Sequence, residues 1–397
     1  MASKIITGID IGTVSIKAVA AIKNPDRSEF EVLAKVQRPV SGVRKGVVSN
    51  VEEVSQAISE CVKEIELQTN QKINGVYVNI NGSHIVSSSS RGLVSVSRAD
   101  QKISSEDIER VIQAAKAFPM SQNKEIIDVF PREFMIDGVG GIKDPLDMQG
   151  IRFEADVLIM EGFSQYLKNI SQSILKIDLQ VNELIPGVIS VARSVLSPKE
   201  EERGVAILDI GASTSSLAVF EEAVLLHAAI FPIGSNNITN DIAIGLKCDI
   251  DTAEKIKLEF GSCIAAKGEK KMEKVSGEIL FTKANLRRII NARVCEIFDL
   301  VKDDLEKISK SGLLPAGIVI TGGGSLLPGI TELAKKEFKL SSRTGNPSGF
   351  NPSIEDPAFA VACGLVIAGH ELEEEQGHQI FGNMKDKIKR FFKSLTP

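Results

Sequence analysis

The sequence predicts an α/β protein of two related lobes, with a small α+β subdomain set into the first. Three observations carry that expectation. "GIDIGTVSIKAVAAI" (8–22) and "AILDIGASTSSLAVF" (206–220) follow one plan: an apolar run, Asp-Ile-Gly, small hydroxyl residues and a second apolar run. Each reads as a β-hairpin with a tip of Gly, Ser and Thr, and two distant copies imply two lobes facing one another. A third glycine signal, "GIVITGGGSLLPGI" (317–330), follows a short β-rich run and leads into a helix pattern, "LPGITELAKKEF". Finally, 83–164 breaks the surrounding pattern with three strand-like runs around one helix.

Taken in order, "MASKIITGIDIG" enters a strand at once and leaves no room for a signal peptide. The first lobe is expected over 1–82 and 165–197. Within the insertion, Ser104 with Asp107 three residues on forms a capping-box start, and Ile108, Val111, Ile112 and Ala115 give the helix its apolar face. The second lobe is expected over 198–237 and 313–369, with a mainly helical subdomain at 238–312 that holds "DTAEKIKLEFG" and "ANLRRIINARVCEIFDLVKDDLEKI". "AFAVACGLVIAG" (358–369) is too short to span a bilayer and reads as a buried helix. The acidic run "HELEEEQGHQ" has few apolar residues and predicts a mobile linker over 370–382.

The last stretch, "NMKDKIKRFFKSL", spaces Met384, Ile388, Phe391, Phe392 and Leu395 at i, i+4, i+7, i+8 and i+11, one stripe of a helix. Lys385, Lys387, Lys389, Arg390 and Lys393 lie between them against one acid, Asp386. Apolar rings backed by basic residues suit an anionic bilayer surface, so 383–397 is expected to be an amphipathic membrane-targeting helix. Each basic residue near such a leaflet contributes about 1 kcal/mol. Ordering the segment costs about 1 kcal/mol or more per residue. A single copy therefore holds weakly, and copies side by side on a polymer hold by avidity.

Composition narrows the function. A chain of 397 residues has room for two or three domains. A net charge of −5 argues against general nucleic-acid binding, and the absence of Trp leaves little for base-stacking platforms. The five cysteines form no CxxC pair and have no His at ligand spacing, which predicts reduced thiols without a zinc site or disulfide framework. The four histidines have no Ser or Cys in a nucleophile-like setting beside them, and Arg293 with Glu296 reads as a surface ion pair.

The glycine signals carry the chemistry. A tip of Gly, Ser and Thr gathers backbone N–H groups and hydroxyls that suit phosphate oxygens. Gly12 and Gly211 give those turns freedom and let backbone approach a ligand. Asp10 and Asp209 end their strands beside the tips, where a carboxylate can hold Mg2+ through its water shell. Lys17 lies on the returning strand as a point charge for a phosphate. Gly322, Gly323 and Gly324 would bring backbone flat against a base or ribose. Together these residues predict a nucleotide site between the lobes.

The two Asp-Ile-Gly hairpins and "TGGGSLLPG" resemble the phosphate and adenosine motifs of the actin, Hsp70 and sugar-kinase superfamily, with its ribonuclease H-like lobes. "GSHIVSSSSRGLVSVS", "FPIGSNNITNDIA", "AEKIKLEFG" and "GIVITGGGSLLPGI" narrow the resemblance to the bacterial cell-division family FtsA, over residues 5 to about 369 and again at the basic tail. The resemblance implies an actin-like fold, ATP with Mg2+, and a filament-forming scaffold that ties FtsZ to the cytoplasmic face of the membrane at the division site. It places Asp10, Gly12, Thr13 and Lys17 in a first phosphate loop, and Gly211, Ala212, Ser213 and Thr214 in a second beside Asp209. Glu254 and Lys257 would approach ribose and base opposite Gly322, Gly323, Gly324 and Ser325, with Gly234 near the phosphates. The FtsZ C-terminal tail would meet the 238–312 region, and other division proteins are further partners. The sequence departs from the pattern at Ala212, Ser213 and Ser235, which replace glycines, and at Ser216, which replaces an acid. Binding with at most slow hydrolysis is the expectation. A small-molecule kinase and an actin-like pilus-assembly adaptor are the alternatives.

Overall fold

Strands that are buried at every position need cover on both faces, and the central strands of each lobe are of that kind. The computed structural model describes residues 4–24, 28–117, 119–265, 272–275, 279–310 and 312–379; the expected membrane-targeting helix at 383–397 lies outside them. In the first lobe β1 (Ile6–Ile11) is buried throughout and pairs antiparallel with β2 (Ser15–Lys23), which pairs with β3 (Phe30–Pro39). A short hairpin follows, β4 (Val43–Arg44) and β5 (Val47–Val48). Helix α1 (Val51–Thr69) starts at Asn50, whose side chain accepts from the amides of Glu52 and Glu53. Strand β6 (Gly75–Ile80) then joins β1 in parallel.

The insertion comprises β7 (Val86–Ser95), α2 (Ser105–Lys116), β8 (Lys124–Ile136), β9 (Val139–Ile142) and β10 (Arg152–Phe163), with sheet order β7-β10-β8-β9. Helix α2 has the Ser104–Asp107 capping box, and Ile108, Val111 and Ala115 are buried against its own small core, which includes Phe134 and Phe153. Helix α3 (Ser164–Leu175), β11 (Gln180–Pro186) and α4 (Gly187–Val195) complete the lobe.

The second lobe opens with α5 (Pro198–Arg203), then β12 (Val205–Ile210), β13 (Ser215–Glu221) and β14 (Val224–Phe231). The helical subdomain holds α6 (Ser235–Leu246), α7 (Ile250–Phe260), β15 (Met272–Val275), β16 (Ile279–Thr282) and α8 (Lys283–Lys307). After it come β17 (Gly317–Thr321), α9 (Ile330–Phe338) and β18 (Ser342–Thr344). The lobes share one strand order, β3-β2-β1-β6-β11 in the first and β14-β13-β12-β17-β18 in the second. Repetition of the hairpin motif therefore reflects repetition of a whole sheet.

The β15–β16 pair had no signal strong enough to separate it from the surrounding helices. Three expectations need correction. The triple glycine leads into a 3-10 turn, Gly323–Leu326, and the α-helix begins only at Ile330. After β19 (Phe350–Asn351), which pairs with β3, helix α10 (Ala360–Gln379) lies on the first-lobe sheet and not within the second lobe. It crosses α4 so closely that a Cβ at Gly364 would stand 1.7 Å from the Ser190 carbonyl oxygen. The supposed linker is helical over 370–379, because its acids have partners: Glu373 pairs with Lys4 at 2.7 Å and Glu371 with Arg193 at 2.9 Å. His370 also stacks edge-on against Phe30.

Candidate functional site

Two equivalent turns face each other across the lobes. Gly12 N donates to Ser15 O at 3.2 Å in one, and Gly211 N donates to Thr214 O at 2.9 Å in the other. Between them is a cavity of about 310 Å³. Asp10, Gly12, Thr13 and Lys17 line it from the first lobe, and Asp209, Gly211, Ala212 and Thr214 from the second. Glu254, Lys257 and Gly322, Gly323 and Gly324 form its far wall. Ser213, Gly234 and Ser325 do not line it.

Gly234 and Ser325 have supporting places instead. Ser325 Oγ donates to Gly322 O at 2.7 Å and closes the 3-10 turn. Gly234 seats α6 against the second tip, since a Cβ there would meet the Gly211 and Ala212 carbonyl oxygens at 2.6 and 2.8 Å. Ser235 N and Asn236 N donate to those same carbonyls at 2.9 and 2.7 Å, so these α6 amides are occupied by the loop. Neither Ala212 nor Ser213 has a positive φ, and neither does Gly12 or Gly211. The replacements at 212 and 213 therefore carry no conformational strain, and the tips need glycine for close approach alone. Gly322 is the position that demands it: its φ is +79°, and a Cβ would lie 2.1 Å from Asp209 Oδ1.

Both carboxylates at the tips are buried. Burial raises Asp209 to about 7, helped by repulsion from Asp10 and opposed by Lys17. Asp10 is likewise raised by burial, with Lys17 pulling it down. Asn79 fixes Asp10 in place, its Nδ2 donating to Asp10 Oδ1 at 2.7 Å while its Oδ1 accepts from Ile11 N at 2.7 Å. At the opposite end, the buried Lys257 ammonium holds Glu254 at 2.7 Å and donates to Thr239 Oγ1 at 2.9 Å. Leu258 and Leu326, both largely exposed, stand with Leu327 and Pro328 as apolar walls there. One end of the cavity thus suits an anion with a cation, and the other a flat, largely apolar group.

Sequence reasoning missed Asn79, Asn81, Gln37, Gly46 and the apolar walls. Asn81 stood in plain view within "NGSH", which reads as a turn into the insertion, and no periodicity marks a polar residue at a strand end. The histidines are placed structurally: His227 Nε2 lies 3.0 Å from Asp304, and His84 Nδ1 accepts from Phe163 N at 3.3 Å. Arg293 pairs with Glu296 and Asp241, each at 2.6 Å.

Two lobes of one strand order, each offering a hairpin tip to a shared cleft, define an actin-like protein. Solved structures agree on the fold: the PilM-PilN type IV pilus biogenesis complex has a TM-score of 0.68 at 19% identity, covering 92% of this chain and 98% of that one. MreB5 of Spiroplasma citri bound to ADP has a TM-score of 0.59 at 14% identity, with 94% and 98% covered. The family model for Cell division protein FtsA matches residues 206–364, and that for the SHS2 domain inserted in FTSA matches residues 82–161. The Cell division protein FtsA of Borreliella burgdorferi is 34% identical over 98% of this chain and 96% of the relative. Those of Neisseria meningitidis serogroup B and Escherichia coli K12 are 33% and 29% identical, each over 93% of this chain and 91% of the relative. The chain belongs to the FtsA family of cell-division proteins. Self-assembly and partnership with FtsZ are consistent with that membership.

Proposed function

We propose that the cleft binds ATP with Mg2+ and that the bound nucleotide holds the two lobes closed, so setting the contacts by which the chain polymerises. The observation that carries this reading is the pair of buried, mutually repelling carboxylates, Asp10 and Asp209, between two backbone-rich tips. Two carboxylates with a phosphate and waters suit Mg2+, which keeps part of its water shell; among the described residues no cage of three or more His, Cys, Asp or Glu is present. The ion would neutralise the carboxylates and the phosphate oxygens they face. Lys17 and the tip amides would hold the phosphates, and Leu258 and Leu326 would cover the base. Glu254 and Lys257 would meet the ribose. With both carboxylates given to the ion, none at this end would remain as a base, which fits binding with slow hydrolysis better than rapid turnover.

The scaffold reading extends outward from there. No described helix is long and apolar enough to cross a membrane, so attachment to anionic lipid on the cytoplasmic face would fall to residues 383–397, where Phe391 and Phe392 sit among Lys and Arg. The helical subdomain presents Ile244 and Ile250 as exposed apolar side chains, which suit the FtsZ C-terminal tail. The test is sedimentation of the full chain with anionic liposomes and Mg-ATP, beside a chain ending at Gly382 and an Asp209→Ala variant. The full chain should pellet, the shortened chain should stay in solution, and Asp209→Ala should lose nucleotide binding. Wild-type Mg-ATP affinity in Asp209→Ala would sink the site, and a full chain that stays in solution would sink the tether.

A further inference from the structure

Asn81 lines the cleft and is reached by a side chain of the second lobe's hairpin, and the direction of its amide is fixed. β1 and β6 run parallel, with Ile9 opposite Val78; carried three residues further, that register brings Asn81 level with Gly12. From the other lobe Ser216, the strand partner of Asp209, reaches Asn81 Oδ1 at 3.5 Å. Gly82 N donates to the same Oδ1 at 2.8 Å. A backbone N–H can only donate, so the oxygen must face Gly82 and the amide cannot be flipped. Asn81 lines the cavity, and its Nδ2 donates to no described residue.

We infer that Asn81 binds the terminal phosphate of a nucleoside triphosphate and lets the cleft tell triphosphate from diphosphate. This rests on the nucleotide reading of the cleft and adds a specificity-determining residue to it. The base end is fixed by second-lobe residues, Glu254, Lys257, Leu258 and Leu326. A nucleotide laid from that end reaches the first-lobe tip with its last phosphate, beside Asn81. The two N–H donors of a neutral amide meet an anion there without adding charge to the crowded Asp10–Asp209 pair. Ser216 has a part in this. Its hydroxyl can donate to Asn81 Oδ1 at 3.5 Å, one contact between the lobes that keeps the amide oxygen turned away from the phosphate.

The test uses the full chain with Mg2+, displacing a fluorescent ADP analogue with ATP and with ADP. Asn81→Ala should weaken ATP by about tenfold or more, the usual loss for a hydrogen bond to a charged group, and leave ADP within about twofold. Asn81→Asp keeps an oxygen for Gly82 N and Ser216, so it guards against a folding defect, and its carboxylate should weaken ATP further still. A ratio of ATP to ADP affinity that stays at the wild-type value in both variants overturns the inference, whether both affinities fall together or neither falls. Wild-type protein that binds neither nucleotide overturns the nucleotide reading itself, and the inference with it.

Discussion

Asp209 is a residue whose burial is unfavourable until something cationic arrives. Its pKa is raised to about 7 in the folded chain, against an ordinary value of 3.8. The folded state therefore holds a proton that the unfolded state releases, so stability is lost as pH rises from about 4 through about 7. Asp209→Asn should remove that loss, raising the stability of the nucleotide-free protein at pH 8 by about 2–4 kcal/mol and at pH 4 by little. Thermal unfolding at the two pH values checks it, and an equal gain at both would refute the assignment. The variant should also fail to hold Mg-ATP. Asp10 and Asp209 were legible in the sequence because a carboxylate at the end of an apolar strand, followed by Gly, has a pattern. Asn79 and Asn81 were not: their roles depend on β6 lying beside β1, a pairing across some seventy residues that no local pattern encodes.

At the scale of elements, α4 and α10 cross with no room for a Cβ at Gly364. Gly364→Ala should cost about 3 kcal/mol through overpacking against the Ser190 carbonyl, read as a lower denaturant midpoint; an unchanged midpoint would mean that the helices separate without penalty. The elements legible from sequence were those with chemical punctuation at their ends, such as α2 with its Ser104–Asp107 box. The acidic run at 370–379 was misjudged because composition counts charges without their partners. Lys4, Arg193 and Tyr77 come from three distant parts of the chain to meet Glu373 and Glu371. The β15–β16 hairpin was hidden for a related reason, since two four-residue strands between long helices give too short a run for a period of two to register.

The whole molecule is tied together outside the cleft as well. Ser87 Oγ of the insertion donates to Ala228 O at 2.5 Å, Arg132 holds Asp156 at 2.8 Å and reaches Leu226 O at 3.5 Å, and Lys143 Nζ donates to Glu222 O at 2.7 Å. The insertion belongs to the first lobe by sequence yet grips β14 or the turn before it in the second. Arg132→Ala should loosen that grip by about 1–3 kcal/mol, and faster hydrogen exchange in β14 with little change in β1 would report it; uniform exchange changes would point to global destabilisation instead. The return of the chain through α10 has one more consequence. Everything beyond Gln379 is joined to the lobe that also holds Lys4, Tyr77 and the insertion. If that segment moors the protein to a surface, the first lobe is the hull and the second the oar, and a swing of the second lobe with nucleotide would be a stroke made from a fixed berth.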